Sequence, residues 1–329
     1  MRDRAGHPPA PSIFLLPTMQ TNPFLQKLGF AARDRVVIFH ADDIGMCHAS
    51  YQAYVDLVEA GLISAASTMV PCSWFPAVAA FCRHQSDDTG VDMGVHITLT
   101  SEWDAYRWRP LVATDPEAGL IDDEGYLYRD ESTVQERAQA EWVAYEMEAQ
   151  LKRALEAGID VTHLDSHMGA VFHPRFIDTY LDLARRYRLP ALLLRRDEAG
   201  LQAMGYDPAT AAQLAARIRA CAEEGLVLMD EIVMMPLDHG RERMQRVEQA
   251  LKALPPGLTY FIVHPAQDTP ELRALAPDWP ARVADFEVFR SEALRTVLRN
   301  TGIYTLGMRV LRDHLRQASD SLPPQAGTA

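Results

Sequence analysis

The chain has 329 residues, 48% hydrophobic and 23% charged, with a formal net charge of −13. Such a length and balance suit a soluble globular protein of one large domain or two smaller ones, with a core large enough to fold without staples. The negative charge argues against non-specific binding of nucleic acid or anionic lipid, so neither is expected as a partner.

Residues 1–33, rich in proline and polar side chains, read as a flexible N-terminal extension. Its apolar run Ile13-Phe14-Leu15-Leu16 is closed by Pro17, too soon for a signal-peptide core or a membrane span. No span is predicted elsewhere, and Met19 is a second candidate start. Residues 34–318 read as a single catalytic domain, and 319–329, with Pro323, Pro324 and Gly327, as a disordered tail. The four cysteines, Cys47, Cys72, Cys82 and Cys221, form no C-x-x-C pair and fit neither a zinc ribbon nor a disulfide framework. Reduced thiols in a cytoplasmic protein are the expectation.

Within the domain, apolar runs rich in β-branched residues recur at 36–40, 64–70, 92–97, 161–165, 191–195, 226–230, 258–263 and 303–306. Stretches of helical period lie between most of them. In 47–60, Tyr51, Tyr54, Val55 and Val58 recur at helical spacing before Gly61, and 132–157 reads as one long charged helix ending at Gly158. Strands alternating with helices imply βαβ units and a parallel sheet. The fold class is α/β, a TIM-barrel-like (β/α) barrel, distorted or seven-stranded; an open doubly wound sheet is the alternative. No phosphate-binding G-x-G-x-x-G or Walker pattern is present. The connection 101–131 is unusually long and carries Trp103, Tyr106, Trp108, Tyr126 and Tyr128. It reads equally as the wall of a carbohydrate cleft or as a lid or interface packing its own cluster.

Four apolar runs end on groups that bind metals or move protons. They lead to His40-Ala41-Asp42-Asp43, to His96, to His163-Leu164-Asp165-Ser166-His167 and to His264-Pro265. In α/β folds, ligands bind at the C-terminal ends of strands. Of two adjacent aspartates, one can bind a metal while the other takes a proton; a helix N-cap pair is the bland reading. His96 lies in an apolar strand, where a lone histidine is more often a satisfied core residue than a ligand. Alternation puts Asp165 and His167 on one face, which suits a ligand beside a supporting carboxylate, and His163 shares their parity. His264 can act as a general acid or as a donor to an oxyanion. One aspartate with two histidines leaves open positions for water and substrate, the usual plan of a catalytic metal site. Arg195-Arg196 ends another run and can anchor a substrate hydroxyl, orient Asp42, or simply form surface ion pairs.

At these residues the sequence resembles the YdjC-like carbohydrate deacetylase family, which includes chitooligosaccharide and hopanoid-associated deacetylases. The matching segments are His40-Ala41-Asp42-Asp43-Ile44-Gly45, Gly94-Val95-His96-Ile97-Thr98-Leu99-Thr100, Thr162-His163-Leu164-Asp165-Ser166-His167 and His264-Pro265. The resemblance implies a TIM-barrel-like fold and one divalent metal held by Asp43, His96 and His167. Zinc or magnesium suits that set, as do manganese, cobalt or nickel according to supply. It further implies Asp42 as general base, His264 as acid or transition-state donor, and hydrolysis of an N-acetyl group on an amino sugar. His40, Asp165 and Arg195 are candidate supporting or substrate residues. Two departures stand out: His40 replaces the usual Asn, and Met168-Gly169-Ala170 replaces further histidines after Asp165-Ser166-His167. The competing readings are another barrel metallohydrolase, a phosphoesterase or amidohydrolase, and a catalytically silent sugar-binding protein. Assembly into a homo-oligomer is left open.

Overall fold

In the computed structural model, residues 22–85 and 91–320 are described. Among the described residues seven parallel strands are present: β1 (Arg35–Ile44), β2 (Ala65–Thr68), β3 (Met93–Ile97), β4 (Leu164–Ser166), β5 (Glu231–Met234), β6 (Gly257–Val263) and β7 (Tyr304–Thr305). Their order is β4-β3-β2-β1-β6-β5, and β7 joins β1 beside this path. Segment 191–194 closes the ring: Ala191 bridges Leu164 of β4, and Leu194 bridges Met229 just before β5. The result is the expected barrel-like α/β sheet, distorted at this thin seam. The last apolar run does not complete a regular ring, because β7 pairs only with Val36 and Val37. The run expected at 226–230 is shifted, with the ladder forming at Glu231–Met234.

Strand alternation decides what fills the barrel. Along β1, Val36 and Ile38 join an interior cluster with Leu258, Tyr260 and Ile262 of β6. Val37, Phe39 and Ala41 instead join the layer between the sheet and the helices. The inward parity continues to His40, which stacks on Tyr260 at 4.5 Å, and to Asp42. The barrel is therefore apolar at the start of β1 and β6 and polar at their C-terminal ends.

Two sequence expectations need correction. The extension ends well before residue 33: the Asn22 side chain caps the helix Pro23–Lys27, and Phe24 and Leu25 are buried in the interior cluster with Met308 and Leu311. This short helix closes the end of the barrel opposite the polar residues. Residues 1–21, with the apolar run at 13–16 and Met19, lie outside the described residues, as do 86–90 and 321–329 of the expected tail. The helix expected over 132–157 is two helices, Glu131–Arg137 and Ala140–Glu156. Gly119 packs against the break: it sits at φ +66°, so close to the Arg137 carbonyl that a Cβ would lie 2.3 Å from its oxygen. Gln139 N–H then donates to the Ala118 carbonyl instead of continuing a helix. No helix among the described residues is long and apolar enough to cross a membrane.

Candidate metal centre

By parity Asp43 should point outward with Ala41. A bulge between Ala41 and Ile44 breaks the register with β2, and Asp43 adopts φ +63°, a left-handed conformation that is costly for a residue with a Cβ. The turn swings its carboxylate into the mouth of the barrel beside Asp42. Gly45 follows at φ +85°, with Val78 and Thr68 too close to admit a side chain.

Three groups converge there. Asp43 Oδ1 lies 3.3 Å from His96 Nε2 and 3.0 Å from His167 Nδ1. All three residues are buried, with their ligand atoms within 4.8 Å of one another. Each imidazole is fixed from behind by a carboxylate. His96 Nδ1 lies 2.8 Å from Asp165 Oδ1, and His167 Nε2 lies 3.0 Å from Glu102 Oε2. This is how metal-binding histidines are usually oriented. Asp43 Oδ1 is buried with no hydrogen-bond donor correctly aimed at it. A buried oxygen in that condition is costly unless a cation completes it. The donor set therefore fits a divalent ion. Two other groupings, His40/His163/Asp165 and Asp42/His96/Asp165, fit less well. The His40 and His163 Nε2 atoms face each other at 2.8 Å, and Asp165 is already engaged by Ser67, Tyr260 and His96.

The charges are strongly coupled. Burial opposes ionisation of Asp43, but the charges of His167 and Arg282 outweigh it and hold the carboxyl well below the usual range. Burial likewise opposes a charge on His167, yet Glu102 and Asp43 push it up to about 9. His96 rises for the same kind of reason, with Asp165 and Asp42 overcoming burial. His264 goes the other way: burial dominates and lowers it, so the ring is neutral at neutral pH. Asp42 lies among these groups, with Oδ1 2.6 Å from His40 Nδ1 and Oδ2 3.9 Å from His96 Nε2 and 4.0 Å from His264 Nε2.

The family described as YdjC-like protein matches residues 36–300, which hold all of these groups. The chain belongs to the YdjC-like family. A relative from Thermus thermophilus named carbohydrate deacetylase is 36% identical over 291 residues, covering 88% of this chain and 98% of that protein. A second protein of that name, from Thermoanaerobacter pseudethanolicus, is 24% identical over 279 residues, covering 84% of this chain and 100% of that protein. In fold, the chain is similar to a solved structure from Enterococcus faecalis, named for cellobiose-phosphate cleavage, with TM-score 0.68, 20% identity and coverage of 84% and 99%.

Not every residue singled out from the sequence of this YdjC-like protein reaches the site. His40, Asp42, Asp43, His96, Asp165, His167 and His264 do. Arg195 does not: its guanidinium binds Asp230, whose other oxygen accepts the Leu258 N–H at the start of β6. His264 follows the far end of that strand, about 20 Å away at strand rise. Arg196 forms a buried pair with Glu231. Asp165 supports His96 and not His167, because β4 ends at Ser166 and Met168 and Gly169 turn the chain away with positive φ.

Three participants escaped the sequence reading. Glu102 comes from the long connection, Ser67 from β2, and Arg282 from the helix Trp279–Phe289, where its guanidinium meets Asp43 Oδ2 at 2.7 Å. Arg282 also lies 5.5 Å from the centre of the Trp103 ring, and Trp108 packs 6.2 Å from the His167 ring. The aromatic connection thus packs its own cluster directly over Asp43 and His167. Nothing in the local sequence pattern marks these three residues, since each acts through a partner far away in the chain.

Proposed function

We propose that this protein is a metal-dependent deacetylase that hydrolyses the N-acetyl group of an amino sugar. The observation that carries the reading is the convergence of two carboxylate-backed histidines on one undonated Asp43 oxygen, beside a second aspartate. The names of the Thermus and Thermoanaerobacter relatives support a carbohydrate substrate.

In this reading Asp43, His96 and His167 hold one divalent ion, zinc or magnesium by the donor set. When bound, the ion supplies a Lewis acid for the acetyl carbonyl and lowers the pKa of water. Arg282 keeps Asp43 ionised and oriented through its second oxygen. Asp42 takes the proton of the attacking water on Oδ2 and returns it to the amine nitrogen as the C–N bond breaks. His264, neutral because of its burial, donates an N–H to the carbonyl oxygen as charge develops there. The Trp103–Tyr106–Trp108 cluster limits water at the mouth. The four cysteines are free, which supports a cytoplasmic setting.

The test separates binding from chemistry. His96→Ala and His167→Ala are expected to lose metal and acetate release together. Asp42→Asn should keep about one metal per chain and lose roughly 10²–10⁴-fold in kcat. An Asp42→Asn protein that loses its metal would contradict the division of labour between the two aspartates.

A further inference from the structure

Two helices begin at the mouth of the barrel, His48–Ala60 after β1 and Phe75–His84 after β2. Their starts bring three rings together. Trp74 and Tyr51 stack with 5.8 Å between ring centres and 18° between planes, and His48 meets the Trp74 ring edge to face at 4.6 Å. The His48 and Tyr51 centres are 6.5 Å apart, too close to lie on opposite faces of the indole. The indole is therefore not sandwiched between them. All three residues are half-buried. Tyr51 packs against the core between sheet and helices, but Trp74 joins neither apolar cluster.

Packing leaves the polar ends of these rings unexplained. Tryptophan and tyrosine that pack into a protein usually find a partner for the N–H or O–H. The neighbouring rings do so: Trp108 Nε1 donates to the Thr100 carbonyl, and the Tyr106 hydroxyl donates to the Met46 carbonyl at 2.5 Å. Among the described residues, Trp74 Nε1, the Tyr51 hydroxyl and the His48 ring nitrogens have no hydrogen-bond partner, and none of these atoms is shut off from solvent. Nor does the Trp74 side chain cap the helix it precedes.

The group stands beside the metal centre. Gly45, which follows Asp43 by two residues, packs on the turn that carries Trp74: a Cβ on Gly45 would lie 3.4 Å from the Phe75 backbone nitrogen. Gln267, soon after His264, donates its backbone N–H to the Ala49 carbonyl. The Tyr106 hydroxyl ties the aromatic connection to Met46, two residues before His48. Rings thus lead outward from the metal-binding groups, from Trp108 beside His167 through Tyr106 to Trp74.

An indole edged by an N–H, an O–H and an imidazole suits a ligand with an apolar face and a polar rim. A pyranose has this form, with C–H groups on its face and hydroxyls around it. A nucleobase also stacks on such rings, but the net charge of −13 opposes the phosphates that come with it. A wholly apolar ligand would strip water from the polar edges and give them nothing in return.

We propose that Trp74, with Tyr51 stacked on it and His48 at its edge, binds the sugar ring next to the acetylated one, so that the substrate is an oligosaccharide of two or more units. The place of the acetylated ring rests on the deacetylase reading; the platform itself does not. The three side chains are positioning residues. They hold the oligosaccharide so that its acetyl group reaches Asp42 and the metal-binding groups, and they exchange no proton with it.

The test uses the full chain with N-acetylglucosamine and di-N-acetylchitobiose. In metal-free protein carrying ¹⁵N-tryptophan, the Trp74 indole N–H signal, assigned through Trp74→Phe, should shift on saturation with the disaccharide and stay in place with the monosaccharide. In the metal-loaded enzyme, Trp74→Ala should raise KM for the disaccharide by about tenfold and hold kcat within about twofold, the loss expected for one ring contact. Trp74→Phe keeps a ring and should recover most of that loss. A Trp74 signal that the disaccharide does not move, or a disaccharide KM that Trp74→Ala leaves unchanged, would overturn the proposal. The indole shift needs no turnover. A shifted signal without acetate release would therefore contradict the deacetylase reading and still support the platform.

Discussion

Asp43 is the residue on which the centre turns. Its positive φ brings a second carboxylate to the strand end, and Arg282 occupies the oxygen that does not face the histidines. The two histidines depend on their backing groups in the same way. Glu102→Gln keeps the shape of that support but removes its charge, so metal affinity should fall by about 10- to 100-fold, read by competition with a chelator. An unchanged affinity would mean that Glu102 does not orient His167. The sequence made Asp42, Asp43, His96, His167 and His264 legible because each ends an apolar run, where a barrel gathers its chemistry. Glu102 and Arg282 were illegible because the loop and helix that bear them reach the site only through tertiary packing. Arg195 misled for a related reason. It also ends an apolar run, but at the thin seam the strands are staggered, and its side chain faces Asp230 near the start of β6.

At the scale of elements, the aromatic connection is a built part of the site. Glu146, buried on the helix Ala140–Glu156, accepts the backbone N–H groups of Leu111, Val112 and Ala113 and the side-chain amide of Gln150. Gln150 in turn bonds both backbone groups of Thr98, just after β3. This fastening ties the loop that carries Glu102 and Trp108 to the strand that carries His96. Glu146→Ala would leave several donors without an acceptor, at about 1–3 kcal/mol for each one that water cannot reach. The variant is expected to melt earlier and to raise KM, with metal content near that of the wild type; an unchanged melting temperature would refute the fastening role. The five aromatics of this long connection argued against a disordered link, and Trp103 and Trp108 are indeed buried. Its contact partners were not announced, since Glu146 lies on a helix whose sequence reads only as charged. The same limit explains the missed break at 138–139, where Gln139 bonds to the distant turn at Ala118 and Gly119.

At the scale of the whole molecule, the barrel separates two tasks. One end is closed by apolar packing of Phe24, Leu25, Met308 and Leu311; the other gathers ionisable groups around Asp43. The alternation of strands and helices made this architecture readable, while the closing bridges at Ala191 and Leu194 and the side-on β7 depend on register that no single run encodes. The central claim is that the convergent groups hold one metal and that hydrolysis depends on it. The most direct measurement is acetate release from an N-acetylated oligosaccharide as zinc or another divalent ion is titrated into chelator-treated protein. Activity is expected to be absent at the start, to rise in proportion to metal, and to level off at about one ion per chain, as a three-ligand site requires. Full activity in the chelated protein, or a plateau reached only at two ions per chain, would contradict the account.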